Sequence, residues 1–311
     1  MSNGSNLTPM TVPQIRFTAD GPAASRIALG MWRLADAKLN RDEIRALVHE
    51  AVEAGITTID HADIYGGHAC QGLFGDALAG DAALRDKMQI VTKCGIKLMM
   101  PGSEQRVKYY DTSRAHILAS VDDSLKLLRT DRIEVLLIHR SDPLLDPDDV
   151  AAAFVALKKA GKVLHFGVSN FTASQFDLLA SRLPFAMVTN QLEFSVLHTN
   201  PLYDGAFDQC LRLRVSPMAW SPLAGGGLLM SRDERARRVR HALGEVGKDL
   251  GGATVEQVAL AWILAHPARV IPVVGTTNRE RVKSSAAAAG LTLSRDQWFY
   301  ILEASAGEPA P

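Results

Sequence analysis

The sequence is poor in cysteine, and Cys70, Cys94 and Cys210 are the only three in 311 residues. They lie far apart and form no CxxC pair, which argues against a disulfide framework and against a structural zinc site. No other residues have the spacing of metal ligands, so we expect no metal. This cysteine usage favours a reducing, cytoplasmic environment.

An excess of charge of either sign is also missing, because 34 basic residues balance 34 acidic ones. The protein therefore has no overall field that would attract nucleic acid or an anionic membrane surface. An anion that binds here must be held by a local site. We expect a small-molecule partner and no nucleic acid.

Long hydrophobic runs are absent as well, since no apolar stretch reaches the roughly 18 to 20 residues needed to cross a bilayer. The amino-terminal segment is polar, is broken by Gly4, Pro9 and Pro13, and lacks the basic start and apolar centre of a signal peptide. These features predict a soluble cytoplasmic protein with no membrane partner. They leave open whether it is a monomer or a small homo-oligomer.

What the sequence does have is 47% hydrophobic residues, enough for one large core or two medium ones. Short apolar runs of β type alternate with segments of helical periodicity, and glycine, proline, aspartate or asparagine separate them. Eight strands are predicted, at Ile27–Met31, Thr57–Asp60, Gln89–Lys93, Ile133–His139, Val163–Ser169, Ala186–Asn190, Val215–Trp220 and Ile271–Gly275.

Helices are predicted between these strands, near residues 41–54, 68–79, 112–129, 148–160, 172–181, 203–213, 254–266 and 278–289. Asn40 and Asp42 mark the start of the first helix, and Gly55 follows its end. Three segments stand outside the alternation, namely an amino-terminal stretch at 11–20, a basic helical insertion at 232–250 and a last helix at 294–304.

Eight βα units with nearly continuous apolar strands predict an α/β fold, a single (β/α)8 TIM barrel with a β-hairpin-like amino-terminal extension and extra carboxyl-terminal helices. A doubly wound open sheet is the alternative, but the first βα turn, LGMWRLADA, contains no GxGxxG fingerprint. The predicted boundaries are a disordered tail at 1–12, the barrel at 13–305 and a carboxyl-terminal tail at 306–311.

Polar or titratable residues lie at or just beyond the ends of most predicted strands, namely Asp60, Lys93, His139, Ser169, Asn170, Gln191 and Ser221. In a closed barrel these strand ends converge on one mouth. Each residue alone has an ordinary interpretation, as a helix cap, a surface lysine or a satisfied core histidine. Together they favour a functional site, because burying Asp60, Lys93 and His139 on apolar strands is costly unless they pair.

Tyr65 lies five residues beyond Asp60, in the loop after the second strand, where its phenol can lean over the same mouth. A free phenol has a pKa of about 10, and the ammonium of Lys93 should lower the pKa of Tyr65 towards acid chemistry near neutrality. Asp60 would hold Lys93 in place, and a neutral His139 would donate a hydrogen bond to a carbonyl oxygen. The set fits protonation of the oxyanion that hydride attack creates.

Seven ordered blocks resemble the signatures of the aldo-keto reductase superfamily: ITTIDHADIYGG, IVTKCG, LLIHR, GKVLHFGVSNF, NQLEFS, MAWSPL and IPVVGTTNRERV. DHADIYGG, SRLPF, SPMAW and RDQWF are similar to the bacterial YdhF-type branch of that superfamily. The resemblance covers nearly the whole chain and implies a (β/α)8 barrel that binds NAD(P)H without a Rossmann motif. It also implies Tyr65, Lys93, Asp60 and His139 as the catalytic tetrad, in agreement with the residue-based assignment.

The resemblance further implies cofactor contacts along the mouth. Ser169, Asn170 and Gln191 would hold the nicotinamide carboxamide, and Trp220 would stack on its ring, where many members have tyrosine. The loop SPLAGGG would cover the pyrophosphate, since its glycines let backbone N–H groups approach phosphate. The other implied contacts are Met31, Trp32, Ser221, Leu223, Gly225, Gly226, Gly275, Thr276, Thr277 and Arg281.

Arg281 matches an arginine that contacts the adenosine phosphate, which favours NADPH as the cofactor and leaves NADH possible. Two positions depart from the family pattern. Gly275 stands where many members have lysine, which weakens the choice of NADPH, and His61 stands where they have threonine or serine and is interpreted as packing behind Asp60. Residues 96–111 are either a lid over a moderately polar pocket or an ordinary surface loop.

The sequence thus predicts an NADPH-dependent reductase that converts an aldehyde or ketone to the alcohol, with Tyr65 as general acid. Two alternatives stay open. One is a nucleotide-sensing regulatory protein of the same fold with little turnover, like the β subunits of potassium channels. The other is a Schiff-base lyase with Lys93 as nucleophile. The physiological carbonyl is not predicted, because it depends on the shapes of variable loops.

Overall fold

A closed barrel of eight parallel strands forms the centre of the computed structural model, which describes residues 11–102 and 105–309. With strands numbered along the chain, their order around the barrel is β3, β4, β5, β8, β9, β10, β11 and β12, and β12 returns to β3. Their bounds are Ala28–Gly30, Thr58–Asp60, Gln89–Cys94, Ile133–Ile138, Val163–Ser169, Asn190–Glu193, Met218–Trp220 and Ile271–Val274. The predicted (β/α)8 barrel is confirmed, and the open sheet is excluded.

The helices alternate with these strands and are numbered α1 to α12 along the chain. Their bounds are Arg41–Glu53, Cys70–Ala77, Ala82–Arg85, Arg114–Leu128, Pro147–Lys159, Ala173–Ala180, Ala206–Leu213, Gly227–Met230, Glu234–Asp249, Val255–Leu264, Arg279–Ala287 and Arg295–Ala306. Short 3₁₀ turns cover Asn200–Leu202, Ala224–Gly226 and Ala288–Gly290. The predicted insertion at 232–250 is α9, and the predicted last helix is α12.

Local chemistry explains where the first helix begins and ends. The side chain of Asn40 accepts from the amide of Glu43, and the Glu43 carboxylate accepts from the amide of Asn40, a reciprocal pair that satisfies two exposed donors. Gly55 follows with φ 84°, and a Cβ there would lie 2.7 Å from the backbone of Val12. Only glycine therefore fits at this close approach.

A hairpin of β1 (Gln14–Arg16) and β2 (Ala23–Ser25) closes the amino-terminal end of the barrel, as predicted. Phe17 from its turn is fully buried in the cluster of side chains that fills the barrel interior, and its carbonyl accepts from the amide of Ser216 at 2.7 Å. Of the predicted disordered tail at 1–12, residues 1–10 lie outside the described part of the chain. Val12, in contrast, is buried and donates to the carbonyl of Ala54.

A stacked pair of tryptophans fastens the carboxyl-terminal helix α12 to α10. The rings of Trp262 and Trp298 lie 4.8 Å apart and within 6° of parallel. Each indole N–H donates to the backbone carbonyl of the other residue at 3.0 Å. Both indole donors are therefore satisfied, and we call this reciprocal pair the tryptophan clasp.

Candidate active site

The strand ends deliver three of the predicted residues to the carboxyl-terminal mouth of the barrel. Asp60 ends β4, Lys93 is the next-to-last residue of β5, and His139 directly follows β8. All three are buried, with 2%, 1% and 8% of their surface exposed. Tyr65 comes from the turn after β4 and leans over them, so the structure brings all four together.

Lys93 is the centre of this group. Its Nζ donates to the Asp60 Oδ2 at 2.8 Å, to the backbone carbonyl of His61 at 2.7 Å and to the Tyr65 Oη at 2.9 Å. These are all three hydrogens of the ammonium, so its position is fixed by its partners. The Asp60 carboxylate supplies the opposite charge that a fully buried ammonium needs.

His139 stands across from the tyrosine. The two rings meet edge to face at 6.0 Å and 77°. The His139 Nδ1 is buried and has no hydrogen-bond partner within the described residues. Its carbonyl accepts from the Asn170 amide at 3.2 Å, which ties the loop after β8 to the loop after β9.

The acid–base properties of the group differ from the expectation in one respect. Burial raises the pKa of Tyr65 to about 12, because desolvation and the Asp60 carboxylate outweigh the lowering by the Lys93 ammonium. The predicted lowering was therefore wrong in direction. The Lys93 charge does lower the pKa of Tyr65, but the cost of forming a phenolate away from water is larger.

The two basic residues of the group have well-defined charge states. Burial opposes the charge on Lys93, but the Asp60 carboxylate and the Tyr65 oxygen reverse the effect, and the pKa of Lys93 is raised. Burial holds the pKa of His139 well below its usual value, and Lys93, Arg140 and Lys108 lower it further. Lys93 is thus a cation and His139 a neutral imidazole at neutral pH, as the sequence predicted.

His61 agrees with the packing interpretation. Its ring is completely buried, meets Phe74 edge to face at 4.6 Å, and has no hydrogen-bond partner on either nitrogen within the described residues. Burial, followed by the charge of Lys93, lowers the pKa of His61 to about 3. His61 contacts the four clustered residues through its backbone carbonyl, which accepts a hydrogen bond from the Lys93 Nζ.

A cavity of about 800 Å³ opens above the four residues and runs across the mouth. Most of the implied cofactor contacts line it, namely Trp32, Ser169, Asn170, Gln191, Trp220, Ser221, Leu223, Gly225, Gly226, Gly275, Thr276 and Arg281. The structure does not bring Met31 and Thr277 to this lining. Met31 is 1% exposed and packs in the hydrophobic core, because its side chain points away from the mouth into the helix layer.

The amides at one end of the cavity form a continuous network. The Asn170 side chain donates to the Ser169 hydroxyl at 2.8 Å and accepts from the Trp220 indole at 2.9 Å. The Gln191 amide donates to the Asp60 Oδ1 at 2.8 Å. Asp60 therefore links the Gln191 amide to Lys93, a connection that the sequence did not predict.

Several lining residues were missed by the sequence analysis. Arg140 lies with its guanidinium 5.3 Å from the Trp220 ring, and Arg33 donates to the carbonyl of Gly225 at 2.9 Å. Lys108 comes from beside β7 (Tyr109–Tyr110), which pairs with β6 (Ile96–Lys97) to form a hairpin in the segment 96–111. Arg140 had a signal, since it directly follows His139 in LLIHR.

The far end of the cavity meets the start of α11. The Asn278 side chain caps this helix by accepting from the amide of Arg281 at 3.1 Å. Arg279 and Lys283 pair with Glu50, whereas the side chain of Arg281 lines the cavity. A guanidinium beside a helix amino terminus is a favourable place for a phosphate.

Within residues 11–102 and 105–309, no group of three or more histidine, cysteine, aspartate or glutamate side chains is arranged to hold a metal ion. No helix in that part of the chain combines the length and apolar character that a membrane crossing requires.

A family model described as "Aldo/keto reductase family" matches residues 26–306. The chain belongs to this family. It is 45% identical over 300 residues to the oxidoreductase YdhF of Escherichia coli (strain K12), across 96% of this chain and 100% of that protein. It is 47% identical over 288 residues to the oxidoreductase YcsN of Bacillus subtilis (strain 168), across 92% and 96%. The predicted family resemblance is confirmed.

The chain is also similar to a third curated protein and to a solved structure. A 6-dehydroglucose reductase of Agrobacterium fabrum is 43% identical over 288 residues, which is 91% of this chain and 95% of that protein. The crystal structure of the thermostable aldo-keto reductase Tm1743 with the inhibitor epalrestat superimposes with a TM-score of 0.79 at 26% identity, over 94% of this chain and 99% of that one.

Proposed function

We propose that this aldo-keto reductase is an NADPH-dependent enzyme that reduces an aldehyde or ketone to the alcohol, with Tyr65 as the general acid. The observation that carries the proposal is the Lys93 ammonium, which touches the Tyr65 hydroxyl and the Asp60 carboxylate together at the floor of the cavity. This arrangement holds one proton on a phenol and one cation beside it, which is what protonation of a developing alkoxide requires.

The cavity residues fit an extended dinucleotide. Trp220 offers an aromatic face, the Ser169, Asn170 and Gln191 side chains offer amide and hydroxyl partners, and Arg281 offers a cation at the other end. The nucleotide, when bound, supplies the hydride. The residues of this chain bind the nucleotide, orient the carbonyl and transfer the proton.

Proton transfer follows from the positions of Tyr65, His139 and Lys93. The carbonyl oxygen accepts hydrogen bonds from the Tyr65 hydroxyl and the neutral His139 ring, which polarise it. As negative charge develops on that oxygen, the Tyr65 proton moves to it, because an alkoxide is far more basic than a phenolate. The Lys93 ammonium stabilises the phenolate that remains, and Asp60 keeps Lys93 in place.

We infer a polar, hydroxylated aldehyde as the substrate class. Two relatives are 6-dehydroglucose reductases, and the mouth near His139 carries the donors Lys108 and Arg140. Each can donate hydrogen bonds to sugar hydroxyls, since lysine offers three donors and arginine five. Ile96 and Leu98 complete the lining with an apolar patch.

The test is a steady-state screen of sugar-derived aldehydes, aromatic aldehydes, short aldehydes and dicarbonyls, each with NADPH and with NADH. We expect NADPH oxidation with the hydroxylated aldehydes at the highest kcat/KM. Tight nucleotide binding without turnover of any carbonyl would instead support the sensor. Borohydride trapping of a carbonyl on Lys93 would support the lyase.

Arg281→Ala should raise the KM for NADPH by roughly 10- to 100-fold, the effect of losing a hydrogen bond between charged groups. The KM for NADH should stay nearly unchanged, because NADH lacks the extra phosphate. Arg279→Ala is the matched control, since Arg279 pairs with Glu50 and should not affect nucleotide choice. Equal losses with both nucleotides would show that Arg281 does not read the phosphate.

Reduction should be insensitive to pH between about 6 and 10. Tyr65 must be protonated to act, and a pKa of about 12 keeps the proton on it until the solution is strongly alkaline. His139 stays neutral over the same range because its pKa is lowered. Alcohol oxidation, which needs the phenolate, should instead accelerate as the pH rises. A fall in kcat/KM for reduction centred near pH 8 would contradict the raised pKa of Tyr65.

A further inference from the structure

A second cavity, of about 430 Å³, lies at the amino-terminal end of the barrel, away from the mouth. It is bounded by the β1–β2 hairpin, the end of α7 and the loop that leads from α10 to β12. Arg16, Arg214 and Arg269 come from these three elements, one from each, and line it together. Its volume is within the range of pockets that bind small molecules, about 300 to 1,000 Å³.

The three arginines lack acidic partners. Within residues 11–102 and 105–309, none of them forms an ion pair, and Arg214 and Arg269 make no side-chain hydrogen bond there. Arg16 donates only to the carbonyl of Gly21, at 2.7 Å. Arg129 provides the contrast. Like Arg214, it directly follows a helix and has a left-handed φ, but it pairs with Asp76.

The ordinary explanation is that arginines near helix ends interact with the negative end of the helix dipole. This accounts for Arg214, which follows α7, but not for Arg16, which lies on a strand. It also leaves three like charges around one cavity, none of which pairs with an acidic side chain in the described part of the chain.

A fourth guanidinium, that of Arg26, lies close enough to Arg269 to feel its positive charge. Arg26 is partly buried and donates to the backbone carbonyls of Val270 and Leu264. Burial, followed by the charge of Arg269, lowers the pKa of Arg26 to about 10. The positive charge of Arg269 therefore disfavours a second, partly buried charge nearby. An anion in the cavity would offset that repulsion.

We propose that this cavity binds a small phosphate ester, with its phosphate held by Arg16, Arg214 and Arg269. Guanidinium groups match phosphate oxygens in two-point hydrogen bonds, and three of them suit a dianion. Leu211, Val215 and Pro267 line the same cavity and would contact the organic part. This site is independent of the proposed reduction, because its lining shares no residue with the mouth cavity.

Isothermal titration calorimetry with phenyl phosphate tests the proposal, using the full chain without added nucleotide at fixed ionic strength, because NADPH is itself a phosphate ester and would compete. We expect one saturable site in the wild-type protein. The double variant Arg214→Ala/Arg269→Ala should lose at least about tenfold in affinity. Arg212→Ala is the matched control, since Arg212 is on α7 and pairs with Asp177, and it should bind as the wild type does. Benzyl alcohol, which has the ring and no phosphate, should not bind.

Three results would overturn the proposal: no saturable binding to the wild type, equal affinity in the double variant, or equal binding of benzyl alcohol. Arg281→Ala separates this site from the mouth. It should leave the phenyl phosphate site intact, and binding that is lost in Arg281→Ala but kept in the double variant would place the ligand at the mouth. Both substituted arginines are exposed, so the melting temperature should stay unchanged.

Discussion

Tyr65→Phe should reduce kcat for carbonyl reduction by roughly 10²- to 10⁴-fold, the range expected when a general acid is removed. The phenol hydroxyl accepts a hydrogen bond from the Lys93 ammonium at 2.9 Å. Phenylalanine keeps the ring and its edge-to-face contact with His139. The dissociation constant for NADPH, measured by fluorescence titration, should therefore change little.

Tyr203→Phe is the matched control. It removes the same hydroxyl group, but from a side chain that is 72% exposed on the surface. It should retain full activity. If Tyr65→Phe keeps the wild-type kcat under conditions where chemistry limits the rate, then Tyr65 is not the acid.

Lys93→Met should abolish most reduction and also destabilise the fold. Removing one partner of a buried ion pair leaves the other as an uncompensated charge, at a cost of about 3 to 5 kcal/mol. Here that charge is Asp60, which is 2% exposed. The melting temperature should fall by several degrees, and Tyr65 should lose the cation that stabilises its phenolate.

The double variant Asp60→Asn/Lys93→Met separates these two effects. It replaces the ion pair with neutral groups, so it should recover most of the lost stability without recovering activity. Lys87→Met is the control for loss of a lysine, because Lys87 is exposed in the turn that precedes β5. Recovery of reduction together with stability would show that Lys93 has only a structural role.

The barrel and the four clustered residues could be predicted because each rests on a local rule. Apolar strand runs and helix caps such as Asn40 are visible in the sequence, and parallel strands place their carboxyl ends at one mouth. The sequence therefore predicts that Asp60, Lys93 and His139 meet. The apolar strands that carry them also predict their burial, which the structure shows.

The sixth barrel strand shows where this reasoning fails. Its predicted bounds were Ala186–Asn190, because that stretch is the more apolar, but the strand is Asn190–Glu193. Asn190 and Gln191 are buried on it because their amides have partners at Phe171 and Asp60, which are distant in sequence. Hydrophobic periodicity cannot identify a strand whose buried side chains are amides with partners distant in sequence.

The raised pKa of Tyr65 escaped prediction for a related reason. The nearest charge can be guessed from strand order, but desolvation depends on how completely the surrounding loops exclude water. The basic cavity beneath the barrel is likewise invisible in the sequence. It is lined by Arg16, Arg214 and Arg269, of which the first and the last are 253 positions apart in the sequence. Only the closed fold brings them together.

The tryptophan clasp also divides the intrinsic fluorescence of the protein into two reporters. All four tryptophans of the sequence are at one of two places: Trp262 and Trp298 in the clasp, and Trp32 and Trp220 at the mouth. Quenching of emission by a nucleotide would thus originate at the mouth, while a red shift on heating would follow solvent reaching the indoles of the clasp. A single emission spectrum can in this way distinguish ligand occupancy from detachment of the last helix.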